Sequence, residues 1–364
     1  MANNWPEWLP IRSELSELTP YGAPQMLDLV ALNTNENPFE LPKEVVDEIL
    51  AELPKVLSNL NRYPDRDAIL LREKLAGYIN SQSGTSFNSE NIWAANGSNE
   101  ILQTLMLACG GRGALGFVPS YSVHPLIAKV TGVNWNAASR ASDFTLDISL
   151  AINEIHKIKP GLTFITTPNN PTGTILKLGE IAELAKAASE VNGLLVVDEA
   201  YAEFSTQSSA VTLISKYPNL VVVRTMSKAF AFAGARVGYL IGDLKVVAAC
   251  LVARLPYHLS SLTQASAAVA LSKADLLQAE VKLLISERER VCAELIGYGF
   301  NVVPSQANFM MFSGFTGSAG KVWQDLVDHG ILIRDIGIPG YLRVTIGTPK
   351  ENDQFLAAIA SHKP

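Results

Sequence analysis

Three short apolar runs in the middle of the chain each end abruptly in a polar segment. They are Leu162–Ile165, Leu194–Val197 and Leu220–Val223. Continuous apolar runs of this length predict strands that are buried on both faces of a parallel sheet. In open α/β sheets, ligands bind beyond the carboxyl ends of the strands. We therefore expect one crevice to collect the polar side chains that follow these runs, among them Asn170, Asp198, Tyr201 and Lys228.

Helical and strand-like patterns alternate over most of the chain from about residue 41 to residue 241. Besides the three runs, with the first extended to Thr166, strands are predicted at Ile92–Ala95, Ala114–Val118 and Val237–Ile241. Helices are predicted at Lys43–Leu53, Asp67–Asn80, Glu100–Cys109, Ile148–Ile158 and Leu178–Ser189. This alternation is typical of a sheet covered by helices on both faces. The predicted fold class is therefore α/β, with a large three-layer α/β/α domain and a mostly parallel sheet.

The pattern changes after about residue 256 and predicts a small α+β domain. A long helical segment over Ser261–Ile296, broken near Ser272–Ala274, precedes the other predicted elements. These are strands at Phe309–Phe312, Ile331–Arg334 and Leu342–Ile346 and helices at Lys321–Asp328 and Glu351–Ser361. The first 32 residues are rich in proline and show little periodicity, so they predict an extended arm with at most one short helix at Glu14–Glu17.

Composition narrows the class of protein. A net charge of −6 without a long basic run argues against a nucleic-acid partner. No apolar stretch approaches the roughly 20 residues of a membrane helix, and no signal peptide is evident. We expect a cytoplasmic protein with no membrane partner.

The cysteines and histidines indicate neither a disulfide nor a metal site. Cys109, Cys250 and Cys292 are far apart and odd in number, which indicates free thiols. The histidines lack metal-ligand spacing, so no metal site is expected.

One glycine pattern does not carry its usual meaning. Gly111–Gly116 matches G-x-G-x-x-G. The segment follows a predicted helix and leads into a predicted strand, which is the reverse of the dinucleotide-binding context. We interpret it as a loop.

A lysine, an aspartate and a tyrosine in one crevice indicate carbonyl chemistry on a pyridine ring. Lys228 can form a Schiff base with an aldehyde cofactor. Asp198 can keep a pyridine nitrogen protonated, so that the ring accepts electrons from a carbanion. Each residue also has a structural interpretation, Lys228 as a surface lysine at a helix start and Asp198 as a helix cap. A helix amino terminus disfavours a cation, which favours the functional interpretation of Lys228.

The motifs around these residues resemble those of a known family. Asn169–Gly173, Asp198–Tyr201 and Ser227–Arg236 are similar to the core of fold-type I pyridoxal-phosphate aminotransferases. Three further segments narrow the resemblance to the class II-like histidinol-phosphate aminotransferases, namely Asn33–Pro38, Asn61–Asp65 and Leu342–Gly347. The resemblance runs from about Tyr21 to Gly347. It implies a large cofactor-binding domain over residues 33–256 and a small domain formed by residues 257–364 with the arm of residues 1–32.

The resemblance assigns a role in binding pyridoxal 5'-phosphate to several side chains. Lys228, Asp198 and Tyr201 are the implied catalytic residues, with Tyr201 at the ring oxygen. The backbone around Gly97, Ser98 and Asn99 joins a predicted strand to a helix start, which is a favourable anion site. The other implied contacts are Tyr121 stacked on the ring, Asn170, and the phosphate donors Thr225, Ser227 and Arg236. Simple helix capping or core packing is the competing interpretation.

The resemblance also implies substrate contacts and a homodimer with shared active sites. Arg334 and Arg343 are expected to bind the anionic end of the substrate, with Tyr21 and Tyr257 closing over it and Asn35 nearby. Tyr63 is expected to reach the cofactor phosphate of the neighbouring subunit.

The implied reaction moves an amino group between histidinol phosphate and 2-oxoglutarate, in histidine biosynthesis. An aromatic amino-acid aminotransferase is the closest alternative, because a pocket for imidazole can admit a phenyl ring. A decarboxylase of the same fold and a catalytically silent cofactor-binding module are further alternatives. The intact Lys228, Asp198 and Tyr201 count against the silent module.

Overall fold

The computed structural model describes residues 5–364. Its helices are α1 (Ser13–Ser16), α2 (Lys43–Leu57), α3 (Ile69–Ser83), α4 (Ser98–Cys109), α5 (Val123–Thr131), α6 (Ile148–Ile158), α7 (Leu178–Glu190), α8 (Leu244–Ala253), α9 (Ser261–Ser272), α10 (Ala274–Gly297), α11 (Ala319–Asp328) and α12 (Pro349–Ile359). Its strands are β1 (Val30–Ala31), β2 (Ile92–Ala95), β3 (Ala114–Val118), β4 (Trp135–Ser139), β5 (Leu162–Thr166), β6 (Leu194–Asp198), β7 (Leu220–Thr225), β8 (Gly238–Ile241), β9 (Asn301–Val302), β10 (Phe309–Ser313), β11 (Ile331–Leu332), β12 (Arg334–Asp335) and β13 (Leu342–Thr345).

The large sheet has the strand order β2-β8-β7-β6-β5-β3-β4. Strand β8 is antiparallel to both of its neighbours, and the other neighbouring pairs are parallel. The three apolar runs form the adjacent strands β5, β6 and β7, as predicted. Along β6, Leu195 and Val197 belong to one apolar core, whereas Val196 belongs to a second core on the opposite face. Both faces are therefore buried, and the predicted α/β class is confirmed.

A smaller antiparallel sheet with the order β12-β13-β10-β9 lies in the C-terminal part of the chain. Strand β1 of the N-terminal arm pairs in parallel with β11. The backbone N–H of Thr345 also donates to the carbonyl oxygen of Leu32. These bonds attach the arm to the C-terminal strands, and they bring the segment after residue 32 toward the edge of the large sheet.

Several boundaries differ from the sequence-based predictions. The strand predicted at Ile331–Arg334 is wrong, because its two ends pair with different partners, β11 with β1 and β12 with β13. Helix α2 continues past its predicted end at Leu53, because the helix accommodates Pro54. Helix α4 begins two residues before the predicted Glu100.

Besides the two-residue strands β1 and β9, three elements went unpredicted. Strand β4 is an edge strand without a fully buried position, and its sequence does not alternate between apolar and polar residues. Helix α5 carries a proline, Pro125, in its first turn, where the missing N–H is tolerated. Helix α8 is apolar on nearly every side, so it shows no amphipathic stripe. The loop interpretation of Gly111–Gly116 holds only up to Gly113, because the segment includes the end of a 3-10 turn (Gly110–Arg112) and the first three residues of β3.

Candidate active site

The carboxyl edge of the large sheet opens into a cleft with a volume of about 470 Å³. The end of β6 contributes Asp198 to its wall, and the loops after β5, β6 and β7 contribute Asn170, Tyr201 and Lys228, so the predicted convergence occurs. Other predicted site residues also line it, namely Tyr21, Asn35, Ser98, Asn99, Tyr121, Thr225, Ser227, Arg236, Arg334 and Arg343.

Asp198 ends β6 and is buried. One carboxylate oxygen lies 3.1 Å from Nε2 of His124, and the other accepts the backbone N–H of Ala200 at 3.1 Å. His124 is buried too, and its ring stands edge-on to the ring of Tyr121. The sequence analysis considered the histidines, His124 among them, only as possible metal ligands and missed this contact. A histidine three residues after Tyr121, in the segment that follows β3, was the available signal.

Lys228 follows β7 and points into the cleft. Its Nζ donates to the carbonyl oxygen of Thr34 at 2.9 Å. Burial and the positive charges of Arg343 and Arg236 together lower the pKa of Lys228 to about 8, against the opposing effect of Glu36. An amine with this pKa is partly neutral near neutral pH, which suits a nucleophile and proton carrier.

The phenol of Tyr201 is buried against the ring of Phe309. Its oxygen accepts hydrogen bonds from Nδ2 of Asn35 at 2.9 Å and from Nδ2 of Asn170 at 3.3 Å. Burial raises the pKa of Tyr201, so the hydroxyl keeps its proton. Both contacts use the oxygen as acceptor, which leaves its hydrogen available to the cleft.

An anion site lies where α4 begins. Gly97 precedes the helix with a φ of +80°, and a Cβ built there would lie 2.7 Å from Nη2 of Arg236. The guanidinium of Arg236 donates to the carbonyl oxygen of Ala233 and, within residues 5–364, makes no ion pair with a carboxylate. Thr225 and Ser227 lie beside it, with their hydroxyls hydrogen-bonded at 2.9 Å. A helix start, two hydroxyls and an unpaired arginine suit a phosphate.

Two arginines form the opposite wall of the cleft. Arg343 is buried, and it donates to Oδ1 of Asn170 at 2.6 Å and to the carbonyl oxygen of Asn33 at 2.7 Å. Its Nε has no partner within the described part of the chain. Arg334 faces Arg343 directly on the neighbouring strand. Burial and the charge of Arg334 lower the pKa of Arg343 to about 10.

Tyr63 and Tyr257 lie outside this cleft. Their rings stack on each other with centroids 4.4 Å apart, and both line a second surface cavity together with Arg62 and His258. Tyr257 does not line the cleft that Tyr21 lines in the same chain, so its contact with the substrate stays a prediction. The stacking of Tyr63 on Tyr257 requires contacts between distant segments, which sequence periodicity does not reveal.

Comparison of the sequence with known proteins shows which family of enzymes the chain resembles. Residues 28–359 match the family model described as aminotransferase class I and II. The chain is 54% identical to the histidinol-phosphate aminotransferase of Mycolicibacterium smegmatis, with 97% of this chain and 93% of the relative covered. It is 53% identical to the enzyme of that name from Mycobacterium leprae, with 96% and 93% covered.

The chain belongs to the histidinol-phosphate aminotransferase family. This family lies within the class I and II aminotransferases, so the chain is an aminotransferase and the resemblance drawn from its motifs is confirmed. The fold agrees. The crystal structure of the histidinol-phosphate aminotransferase from Clostridium acetobutylicum superimposes with a TM-score of 0.80 at 26% identity, covering 91% of this chain and 98% of the other.

Proposed function

We propose that this chain transfers an amino group between histidinol phosphate and 2-oxoglutarate, with pyridoxal phosphate as cofactor. The observation that carries the choice of substrate is the buried guanidinium of Arg343, which pairs with no carboxylate among residues 5–364 and lies opposite Arg334. Like charges directly opposite each other on neighbouring strands are unfavourable unless an anion lies between them. A phosphate group on the substrate would supply that anion, and phenylalanine has none.

The residues of the cleft fit pyridoxal phosphate. Its phosphate would be held by the start of α4, with the closely packed Gly97 and Arg236, and by the hydroxyls of Thr225 and Ser227. Asp198 would face the pyridine nitrogen, Tyr201 and Asn170 would face the ring oxygen, and Tyr121 would stack on the ring. When bound, the cofactor supplies a ring that can accept the electron pair released when a proton leaves the substrate carbon.

Some side chains of the cleft would then bind charged groups of the cofactor and substrate, and one would transfer a proton. His124 and the N–H of Ala200 hold the Asp198 side chain in place, where its carboxylate would face the pyridine nitrogen. Lys228, with its lowered pKa, would accept a proton at Nζ and return it to a neighbouring carbon. Tyr201 would donate its remaining hydrogen to the ring oxygen. Arg343 and Arg334 would orient the substrate by its anionic end.

We further propose that the enzyme is a homodimer whose subunits share active sites. The segments around the stacked Tyr63 and Tyr257 carry several exposed apolar side chains, and Tyr63 itself is 80% exposed. Its other exposed apolar members are Leu60, Ile69, Leu70, Val252 and Leu255. An exposed patch of this kind is typical of a protein–protein interface. A second copy of this chain would bury it and bring Tyr63 toward the other cleft.

We place this enzyme in the cytoplasm. Cys109, Cys250 and Cys292 are all free thiols, as expected in a reducing compartment. In residues 5–364, no helix is long and apolar enough to cross a membrane.

Steady-state rates test the proposal. The enzyme, loaded with pyridoxal phosphate, would be assayed with histidinol phosphate, phenylalanine and tyrosine, each paired with 2-oxoglutarate. We expect the highest kcat/KM with histidinol phosphate, because only that substrate engages both arginines through a phosphate. A preference for phenylalanine or tyrosine would instead identify an aromatic amino-acid aminotransferase.

A further inference from the structure

A buried cluster of charges lies on the reverse face of the strand ends that carry the candidate catalytic residues. Successive side chains along a strand point to opposite faces of the sheet. Asp198 and Thr225 line the cleft. Their neighbours Glu199 and Arg224 therefore point away from it, and they are only 3% and 4% exposed.

Glu199 and Arg224 join the end of β6 to the end of β7. Nε and Nη2 of Arg224 donate to one oxygen of Glu199 at 3.0 and 2.8 Å. That oxygen also accepts the hydroxyl of Ser209 at 2.6 Å, and the other accepts the backbone N–H of Ala210 at 2.7 Å. Because each oxygen of Glu199 is engaged inside the protein, the pair has one well-defined geometry.

The cluster extends to a second carboxylate and to the neighbouring strand. Nη1 of Arg224 donates to Glu203 at 3.1 Å, so one guanidinium serves two buried carboxylates. Across the ladder, Arg224 pairs with Tyr239 of β8. Removing the guanidinium would leave two carboxylates buried without a counter-charge, which is strongly unfavourable.

We infer that Arg224 is a positioning residue for transamination, because its ion pair with Glu199 fixes the spacing between Asp198 at the end of β6 and Lys228 just beyond β7. The two members of the pair are the immediate chain neighbours of cleft residues, and they make no contact with the cleft themselves. A misplacement of about 1 Å in an active site can cost roughly 10²-fold in rate. The inference rests on the proposed roles of Asp198 and Lys228.

Three variants and one matched control test this role. The variants are Arg224→Met, Arg224→Lys and Glu199→Gln, of which the last keeps the side-chain shape. The control is Arg72→Met. Arg72 is also buried, at 5% exposure, but it donates to backbone carbonyls of Ser89 and Ile92 near the amino-terminal end of β2, away from the cleft. Arg72→Met therefore removes a buried guanidinium without touching the strand ends beside Asp198 and Lys228.

Three properties of each protein, loaded with pyridoxal phosphate, would be measured. They are its thermal stability, its kcat and KM for isotope exchange between glutamate and 2-oxoglutarate, and the pH midpoint of the cofactor's visible absorbance. We expect kcat to fall about 10- to 100-fold in Arg224→Met and Glu199→Gln with KM nearly unchanged. Their absorbance midpoint should move by about 0.5 pH unit or more. Arg224→Lys should lie between Arg224→Met and the wild type, and Arg72→Met should lose stability alone.

Wild-type kcat and absorbance midpoint in folded Glu199→Gln would overturn the inference, even if Arg224→Met does not fold. The same holds if the Arg224 variants only lose stability, as the control does. The proposed function itself would be refuted if the wild-type protein showed no exchange with glutamate, or carried its cofactor on a residue other than Lys228. Either result would also refute the inference about Arg224.

Discussion

At the scale of single residues, the surroundings of Lys228 determine its reactivity. Its Nζ has one hydrogen-bond partner, the carbonyl oxygen of Thr34, and two arginines act on it from the cleft. Burial of the amine, together with the charges of Arg343 and Arg236, outweighs the opposing charge of Glu36 and lowers the pKa from the usual 10.5 to about 8. As the pH rises through about 8, a growing share of the amine becomes neutral, and only a neutral amine attacks an aldehyde.

The first prediction concerns the cofactor-free protein. We expect the rate of covalent attachment of pyridoxal phosphate to rise as the pH rises through about 8 and then to level off. Rapid mixing with the cofactor over a pH series would measure this rate. Glu36→Gln is the matched control, because Glu36 raises the pKa of Lys228 and its removal should move the midpoint to lower pH. A midpoint near that of an ordinary lysine would contradict the prediction.

At the scale of elements, the junction between β2 and α4 forms the proposed phosphate site. Gly97→Ala should weaken the binding of pyridoxal phosphate about 10- to 100-fold, or about 1.4 to 2.8 kcal/mol. The reason is that the new Cβ would lie 2.7 Å from Nη2 of Arg236 and displace it. Equilibrium titration of the cofactor-free protein would measure the dissociation constant.

Gly330→Ala is the matched control for that titration. Gly330 has a φ of +82°, close to the +80° of Gly97, but nothing lies within 4 Å of a Cβ built there. Both substitutions place alanine in the left-handed region and should cost about 1 kcal/mol of stability. Only Gly97→Ala should affect the cofactor. Equal dissociation constants for the two variants would contradict the proposed phosphate site.

The pairing of β12 with β13 leads to a prediction about specificity. A hydrogen bond to a charged group contributes about 1.5–3 kcal/mol. Arg334→Ala should therefore lower kcat/KM for histidinol phosphate by roughly 10- to 150-fold, at about 1.4 kcal/mol per decade. Phenylalanine should be affected much less, because its carboxylate would depend mainly on the buried Arg343. Parallel assays with the two substrates measure the difference, and equal losses would count against a phosphate between the arginines.

At the scale of the whole molecule, features encoded in one continuous segment could be predicted from sequence, and contacts between distant segments could not. The bounds of β2, β3 and β5 coincide with the predicted ones, because continuous apolar runs flanked by polar residues mark buried strands. Asp198 and Lys228 could be predicted because they follow such strands directly. The contact of His124 with Asp198 was missed because it joins segments 74 residues apart. The stacking of Tyr63 on Tyr257 depends on tertiary structure in the same way.

The position of that stacked pair leads to a prediction about the assembled enzyme. If Tyr63 acts in the neighbouring subunit, a mixed dimer of Tyr63→Ala and Lys228→Ala contains one intact site, because one subunit supplies Lys228 and the other supplies Tyr63. We expect such dimers, formed by co-expression with two different affinity tags, to recover transaminase activity that neither parent shows. The homodimeric variants, purified through the same tags, are the controls. In a site built from one chain alone, every mixed-dimer site would carry a defect. Verified mixed dimers without recovered activity would thus place Tyr63 in its own subunit's site or outside any site.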